Sequence, residues 1–474
     1  MSTPLGTSDR PLKVAVIGSG PSGFYAIAAL FKIEGLHVLA DLYDRLPTPY
    51  GLVRGGVAPD HQKMKSVIAM YEKTAANPRF RFFGNVTLGQ DLSVEELLSA
   101  YDAIIYAVGC ESDRKLGIAG EALSGVCSAT EFVGWYNGHP DFADRRFDLA
   151  NTTRVAIFGN GNVAADVARV LAHRAEDLVG TDIAGYALEE LKRSRVEEIL
   201  VIGRRGPAQS AFSAKEIEEL AKLPHADLTI EPSEVEVDPI TTQWLEQGAP
   251  ATALKNLEVL ARIARTPPRG HSRRIAFRFL SSPVEFLGTG GRLSGVRLEA
   301  AELYADERGI PRPRGTGDFR EEPIQLSFAA IGYHGRPIEG VPFDPSYGTI
   351  PNVEGRVATD PEGTTLLPGQ YVVGWAKRGP SGLIGTNVPD SRATVLKLLE
   401  DLRDRPAEPL SEDHDQQIPR LLTQRGVHFV NLEDWRKIDR HEVEQGRRLG
   451  KVREKLSSVE AMLRIVARDS EPRP

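Results

Sequence analysis

The spacing of apolar residues along the chain predicts buried parallel strands. Four short runs rich in aliphatic and β-branched side chains occupy residues 13–17, 38–43, 154–158 and 198–202. Runs without polar alternation are typical of strands that helices cover on both faces. An apolar helix is predicted after the first run, over residues 24–32, and another helix follows the third run. The pattern indicates an α/β protein in which a strand–helix–strand unit occurs twice.

The first run leads directly into the glycine-rich turn Gly18-Ser-Gly20-Pro-Ser-Gly23. In a dinucleotide-binding unit the first glycine permits the tight turn, the second admits a pyrophosphate and the third lets the helix pack on the strand. The start of the helix then presents unpaired N–H groups to the phosphates. Asp44 follows the second run and is placed to accept a hydrogen bond from a ribose hydroxyl. The alternative is a glycine-rich turn beside a solvated aspartate.

The third run is followed by Gly159-Asn-Gly161-Asn-Val-Ala164, which has alanine at the packing position. The fourth run ends in Gly203-Arg204-Arg205-Gly206-Pro207, so two arginines stand where the first unit has an acidic residue. Guanidinium groups bind a 2′-phosphate, which a carboxylate would repel. The second nucleotide is therefore predicted to be NADP rather than NAD, the alternative being a solvated pair of arginines. A polar helical insertion containing Leu178 and Leu191 lengthens this unit.

The composition is that of a globular protein of two to three domains. Of the 474 residues 41% are hydrophobic and 26% are charged, which excludes disordered and fibrous classes. The net charge of −7, from 58 basic and 65 acidic residues, argues against a nucleic-acid partner. No apolar run approaches the roughly 18 residues of a membrane span, and the polar N-terminus lacks a signal-peptide pattern. We therefore expect a cytoplasmic protein that does not enter the membrane.

The chain has two cysteines, Cys110 and Cys127. They form neither a C-x-x-C pair nor a zinc-binding spacing, which excludes the dithiol flavoenzymes and predicts no metal site. We expect two buried thiols in a reducing compartment.

Longer motifs resemble those of the adrenodoxin reductase-like ferredoxin–NADP reductases, the bacterial members in particular. They are Gly18-Ser-Gly-Pro-Ser-Gly-Phe-Tyr25, Leu46-Pro-Thr-Pro-Tyr-Gly-Leu-Val-Arg54, Gly56-Val-Ala-Pro-Asp-His61, Tyr106-Ala-Val-Gly109, Gly159-Asn-Gly-Asn-Val-Ala164, Gly203-Arg-Arg-Gly-Pro207 and Gly374-Trp-Ala-Lys-Arg-Gly-Pro-Ser-Gly-Leu-Ile-Gly-Thr-Asn387. The likeness extends from about residue 12 to the C-terminal helix. It implies two Rossmann-like dinucleotide-binding domains in a glutathione-reductase-like arrangement.

In that arrangement residues 1–110 and 330–474 form the FAD domain, and residues 111–329 form an NADP domain inserted into it. Apolar runs at residues 101–108 and 326–331, each followed by glycine, fit the points where the chain leaves and re-enters one sheet. A helical tail is expected from about residue 410, after a Pro- and charge-rich link at residues 405–409 and with helical spacing over residues 418–466.

The resemblance also implies the cofactor contacts. Those of FAD would be Gly18, Ser22, Gly23, Asp44, Leu52, Val86, Trp375, Gly382, Leu383 and Ile384, the last three giving backbone N–H groups to the isoalloxazine. Those of NADP would be Asn160, Gly161, Asn162, Val163, Arg204, Arg205, Glu216 and Gly382. Many relatives carry glutamate where this chain has Asp44, so its shorter side chain requires a water bridge or a closer loop.

The reaction implied is that of a ferredoxin–NADP(+) reductase. Hydride transfer from NADPH to FAD needs closely stacked rings rather than a general base, and the flavin then passes single electrons to a ferredoxin. The catalytic residues are therefore expected to position the two rings rather than to transfer protons. They are His61, near the flavin–nicotinamide junction, and Glu216, at the nicotinamide. The alternatives are a histidine that only stabilises its loop and a solvated helix carboxylate. The family implies a monomer.

Six arginines between residues 262 and 278, with no acidic residue among them, suggest a surface that attracts an acidic ferredoxin. They are Arg262, Arg265, Arg269, Arg273, Arg274 and Arg278. The alternative is a basic edge that serves the 2′-phosphate or has no function. Three other classes remain open: an electron-transferring flavoprotein like the glutamate synthase small subunit, a non-catalytic redox-sensing module and a flavin monooxygenase.

Overall fold

The computed structural model describes residues 5–403, 405, 410 and 413–468, and they form two compact units. The outer unit contains the described residues up to Val57, His61–Ser112, and those from Tyr333 onward. The inserted unit contains Ala58–Asp60 and Asp113–Gly332. The long inserted segment thus begins and ends within three residues of the boundaries expected from the sequence, whereas the short segment Ala58–Asp60 was not expected to join it.

The strands, in chain order, are β1 (Leu12–Ile17), β2 (Val38–Asp44), β3 (Phe80–Gly84), β4 (Ala103–Tyr106), β5 (Ser112–Asp113), β6 (Val126–Ser128), β7 (Arg154–Phe158), β8 (Glu198–Ile202), β9 (Ala226–Ile230), β10 (Arg273–Arg278), β11 (Ser281–Thr289), β12 (Arg292–Ala305), β13 (Pro311–Glu322), β14 (Leu326–Ala329), β15 (Tyr333–His334), β16 (Asn352–Val353), β17 (Arg356–Ala358) and β18 (Leu366–Val372).

The helices are α1 (Pro21–Phe31), α2 (Leu52–Gly55), α3 (Gln62–Lys65), α4 (Ile68–Ala75), α5 (Val94–Ala100), α6 (Ala129–Tyr136), α7 (Asn162–Ala172), α8 (Ala175–Leu178), α9 (Gly185–Lys192), α10 (Ala214–Ala221), α11 (Pro239–Glu246), α12 (Ala251–Ala264), α13 (Trp375–Arg378), α14 (Asn387–Leu402), α15 (Gln417–Gln424), α16 (Leu432–Arg448) and α17 (Val459–Arg468).

The outer unit is built on a seven-stranded sheet with the order β16-β17-β18-β4-β1-β2-β3. The strands from β18 to β3 are parallel, and β16 and β17 add an antiparallel edge. Every residue of β1 is buried, as its unbroken apolar run predicts. Trp435, Ile438 and Met462 of the C-terminal helices pack into the core beside β1. The tail is therefore part of this core, while residues 406–409 of the predicted link lie outside the described residues.

The inserted unit is built on a six-stranded parallel sheet with the order β6-β14-β7-β8-β10-β9. An antiparallel three-stranded sheet, β11-β12-β13, belongs to the same unit. The predicted helical insertion is confirmed: it forms α8 and α9, whose Leu178 and Leu191 are buried in the core of this unit.

Two details differ from the sequence predictions. Helix α1 begins at Pro21 rather than near Phe24, because Gly20 occupies the N-cap and proline suits the first helical turn. The runs predicted as the exit and re-entry of one sheet belong to different sheets. Strand β4 pairs with β1 and β18, whereas β14 pairs with β6 and β7. An apolar run followed by glycine identifies a parallel strand but carries no information about its neighbours.

Among the described helices, none combines the length and the apolar character needed to cross a membrane.

Candidate functional site

The glycine turn of the outer unit has the geometry of a dinucleotide cradle. Gly18 has φ +104°, and a Cβ there would lie 2.5 Å from the carbonyl oxygen of Ala107, so only glycine fits. A Cβ on Gly23 would lie 2.3 Å from the carbonyl oxygen of Gly18, which explains the close helix packing. A Cβ on Gly20 would meet nothing within 4 Å, and no side chain caps α1. The helix start therefore adjoins open space in which a pyrophosphate fits.

Asp44 lies at the end of β2 and is tied to this turn. Its carboxylate accepts hydrogen bonds from the backbone N–H and the hydroxyl of Ser19 and from the N–H of Leu46. These contacts fix the carboxylate beside the glycine turn without using all of its lone pairs. The loop is thus close enough to orient the shorter side chain, and the ribose contact of Asp44 stays a prediction.

The structure brings the segment around Trp375 to the same helix start. A Cβ on Gly374 would lie 2.6 Å from Ser22 Oγ, and Ser391 Oγ donates to the carbonyl of Ser22. Trp375 is half-buried, with its ring 5.4 Å from that of Tyr333, and its Nε1 donates to the carbonyl of Ser381. Gly18, Ser22, Gly23, Asp44 and Trp375 therefore occupy one region of the outer unit.

Leu52 and Val86 differ in accessibility. Leu52 is 37% exposed at the start of α2, as a side chain that lines a cofactor would be, whereas Val86 is 3% exposed. Val86 donates its N–H to the carbonyl of Asp44, so it adjoins the same edge of the sheet. Their contact with FAD stays a prediction.

The three backbone N–H groups expected to face the flavin differ in their surroundings. The N–H of Leu383 donates to Oγ1 of Thr386 at 3.0 Å, so it is already used within the turn. The N–H groups of Gly382 and Ile384 have no acceptor within the described part of the chain. A Thr hydroxyl three residues later thus competes for the N–H of Leu383, and its contact with the flavin stays a prediction. The 65% exposed side chain of Leu383 stays available for contact.

The second glycine turn repeats the geometry in the inserted unit. Gly159 has φ +134°, and a Cβ there would lie 2.2 Å from the carbonyl oxygen of Ala330. Gly161 is the N-cap of α7 without a side-chain cap, and a Cβ on it would meet nothing within 4 Å. Ala164 is buried at the packing position. A second dinucleotide therefore fits at the start of α7, as the motif predicts.

Asn160, Asn162 and Val163 have different surroundings around this turn. Asn162 Oδ1 accepts from the N–H of Ser213 at 2.9 Å, and Val163 packs on the core. Asn160 Nδ2 is buried and has no hydrogen-bond partner among the described residues. An unsatisfied buried donor is costly, and an acceptor on a bound nucleotide would satisfy it.

Arg204 and Arg205 follow β8 as a cationic pair without a carboxylate. Arg204 is exposed and Arg205 half-buried, and neither guanidinium has an ion-pair or hydrogen-bond partner in the described chain. Burial, together with the charges of Arg204 and Arg312, lowers the pKa of Arg205. An anion there would relieve this repulsion, which fits a 2′-phosphate.

Arg312 is a further candidate for the nucleotide site, and its position in the sequence did not indicate this. It lies on β13 opposite Tyr304, and the neighbouring Leu303 side chain is 3.4 Å from where a Cβ of Gly206 would be. Arg312 Nε donates to Asp306 at 2.8 Å. No local motif marks it, because only the pairing of β12 and β13 brings it to the arginine turn.

Glu216 is a buried residue in the first turn of α10. Its Oε2 accepts a hydrogen bond from Nη1 of Arg169 at 3.1 Å. The alternative of a solvated carboxylate is therefore wrong for Glu216, although it describes Glu218, which pairs with Arg262 at the surface.

His61 precedes α3 in the outer unit, where its carbonyl accepts from the N–H of Met64. The catalytic roles of His61 and Glu216 stay predictions.

The arginine run is largely neutralised by residues that are distant in sequence. Arg262, Arg269, Arg274 and Arg278 pair with Glu218, Asp227, Glu198 and Glu234, and Arg273 donates to carbonyls at the end of α7. Arg265 is exposed. The marked local excess of charge inferred from the sequence is therefore wrong, because β8, β9, α10 and the short turn that contains Glu234 supply the missing carboxylates.

Neither Cys110 nor Cys127 is part of a disulfide bond. Cys110 is buried and Cys127 half-buried, and burial raises the pKa of Cys127 to about 12. Such a thiol is almost fully protonated at neutral pH and is a poor nucleophile.

Comparison with known proteins identifies the family. No family model matches the chain. The NADPH-ferredoxin reductase FprA of Mycobacterium leprae is 44% identical over 458 residues, which cover 95% of this chain and 98% of that protein. The mitochondrial NADPH:adrenodoxin oxidoreductase of Homo sapiens is 42% identical, with coverage of 97% and 93%.

A solved structure gives the same result at the level of the fold. The structure of Mycobacterium tuberculosis FprA in complex with NADPH matches with a TM-score of 0.90 and 43% identity, over 97% of this chain and 100% of that one. The chain belongs to the family of NADPH-ferredoxin and NADPH:adrenodoxin reductases.

Proposed function

We propose that the protein is an FAD-dependent NADPH:ferredoxin oxidoreductase. The observation that carries this proposal is the presence of two glycine-turn cradles with different neighbours on one chain. The first has Asp44 at the next strand end, and the second has Arg204 and Arg205. The names of the relatives, which include NADPH, ferredoxin and adrenodoxin, support the same activity.

FAD fits the outer unit, and when bound it supplies the chemistry of accepting a hydride and releasing electrons one at a time. The start of α1 would hold the pyrophosphate, and Asp44 the adenosine ribose. Gly382 and Ile384 would direct their N–H groups to the flavin ring. Such fixed dipoles stabilise the negative charge that a flavin gains on reduction, and they need no reorganisation.

NADPH fits the inserted unit. The start of α7 would hold its pyrophosphate, while Arg204 and Arg205 would bind its 2′-phosphate with charge-assisted hydrogen bonds. Glu216 would contact the nicotinamide end. A carboxylate in that place accepts hydrogen bonds from an amide and orients the ring without taking a proton.

The proposed electron acceptor is a ferredoxin or a similar small iron–sulfur protein. Because the acceptor takes single electrons, each NADPH would reduce two of its molecules. A monomeric state, a cytoplasmic location and the absence of a nucleic-acid or membrane partner stay predictions. The arginine run between residues 262 and 278 gives little support to a docking site, since most of its charges are paired.

The test is an anaerobic titration of the purified protein, monitored by the visible flavin spectrum. We expect NADPH to bleach the flavin bands at far lower concentration than NADH, and cytochrome c reduction to require added ferredoxin. Equal bleaching by NADH would contradict the assignment of Arg204 and Arg205. The absence of flavin, even after FAD is added, would contradict the whole proposal, and bleaching without ferredoxin-dependent turnover would favour a non-catalytic module.

A further inference from the structure

Arg169 of α7 is a buried cation in the inserted unit whose contacts the proposed reaction does not explain. Its side chain is 3% exposed. The guanidinium donates to three carboxylates: Nε to Asp60 at 2.5 Å, Nη2 to Asp166 at 2.6 Å and Nη1 to Glu216 at 3.1 Å. One planar group thus determines the orientation of carboxylates from three separate segments of the chain.

This arrangement is costly if it serves stability alone. Desolvating an arginine and its partners is offset only by excellent geometry, and apolar residues of similar volume often serve a core equally well. Burial alone would lower the pKa of Arg169, but the charges of Asp166, Asp60 and Glu216 raise it, so the cation persists. His173 Nε2 also lies 3.5 Å from Asp60.

Two of the three carboxylates that Arg169 contacts are linked to the predicted catalytic residues. Glu216 is the proposed nicotinamide contact, and Asp60 directly precedes His61 in the chain. Asp60 lies in the three-residue segment Ala58–Asp60, which is part of the inserted unit although its sequence neighbours are not. The contacts with Arg169 are among those that attach this segment to the inserted unit.

We propose that Arg169 is a positioning residue for the nicotinamide end of NADPH. It holds the Glu216 carboxylate in one orientation and keeps the segment Ala58–Asp60 beside α7. The inference rests on the proposed function and adds a residue that acts through Glu216 rather than on the cofactor. Without Arg169 the buried carboxylate of Glu216 would lose a hydrogen bond that orients it, and the contact with the nicotinamide would be less well fixed.

The test compares Arg169→Gln and Arg169→Lys with the wild type by anaerobic stopped-flow measurement of flavin bleaching. We expect Arg169→Gln to lower the rate at saturating NADPH by about tenfold to a hundredfold, because small displacements of a positioned ring have effects of that size. Arg169→Lys should retain part of the rate, since one ammonium cannot hold three carboxylates. Affinity for 2′,5′-ADP, which lacks the nicotinamide, should not change.

Arg273→Gln provides the matched control. Arg273 also anchors α7 from within the same unit, but through the carbonyls of residues 171–173. We expect this variant to lower the melting temperature and leave the bleaching rate unchanged. A rate loss in Arg273→Gln equal to that in Arg169→Gln would show a merely structural effect and overturn the proposal.

A double-mutant cycle with Glu216→Gln decides whether Arg169 acts through Glu216. If it does, Arg169→Gln has little further effect on the rate once Glu216 is replaced. An equal loss in both backgrounds, or no loss in either, would overturn the proposal. If Arg169→Gln does not fold, the same cycle is run with Arg169→Lys. Failure of the wild type to bleach with NADPH would contradict the proposed function instead.

Discussion

Arg54 donates two hydrogen bonds to the carboxylate of Glu442, which lies 388 positions later in the chain, at 2.6 and 2.8 Å. Glu442 is fully buried and also accepts from Arg453 and from the N–H of Leu456. Lys455 Nζ donates to the carbonyl of Arg54. The C-terminal tail therefore contacts both the side chain and the backbone carbonyl of Arg54. Arg54 belongs to α2, the short helix that carries Leu52.

Replacing Glu442 with glutamine should destabilise the outer unit. The substitution leaves Arg54 without its buried counter-charge, while Arg453 keeps Asp439, and breaking a buried pair costs about 3–5 kcal/mol in comparable cases. We expect a lower urea midpoint, followed by tryptophan fluorescence, and faster loss of FAD. Glu444→Gln, two residues away on the exposed side of α16, is the control and should behave as the wild type. Equal stability of the two variants would contradict the assigned role of Glu442.

The ion pair between Arg54 and Glu442 should also make the stability of the outer unit depend on pH. Burial alone would raise the pKa of Glu442, but Arg54 and Arg453 hold it below its usual value. A carboxyl with a lowered folded-state pKa adds stability above its unfolded pKa of about 4.3 and loses it as pH falls toward the folded value. Below about pH 4.3 the melting temperature of the wild type should therefore fall more steeply than that of Glu442→Gln. Parallel curves would exclude this contribution.

Arg205→Gln should change the choice of nucleotide. A hydrogen bond to a charged group is worth roughly 1.5–3 kcal/mol, so KM for NADPH should rise about tenfold to a hundredfold. KM for NADH, which has no 2′-phosphate, should stay the same. Arg193→Gln is the control, because Arg193 is an exposed arginine at the end of α9. Steady-state dye reduction measures both constants, and a parallel rise in KM for NADH would contradict the prediction.

Arg312→Gln should also raise KM for NADPH, but by less than Arg205→Gln does. Its charge reaches Arg205, but its guanidinium is shared with Asp306, so a loss of about 1 kcal/mol, or roughly fivefold in KM for NADPH, is expected. Arg297→Gln on the same sheet is the matched control, since Arg297 pairs with Glu285 and Glu321. If both variants have the wild-type KM, Arg312 is not part of the nucleotide site.

The glycine turns were predictable because their requirements are local. Gly18 and Gly159 adopt a positive φ in the turn between a strand and the following helix, and a short motif encodes this turn. The strand runs were predictable for a similar reason, since burial on both faces leaves a continuous apolar pattern. The sequence by itself thus determined the α/β class, both dinucleotide turns and the arginine pair after β8.

Only the tertiary structure decided which charges meet. The partners of Arg274 and Arg278 come from other segments, 76 and 44 positions away, because strand order places them there. The burial of Glu216 against Arg169 and the pairing of Arg54 with Glu442 have the same origin. Sequence periodicity encodes which face of an element is buried, but an ion pair depends on which elements become neighbours. That is decided by the packing of the whole chain.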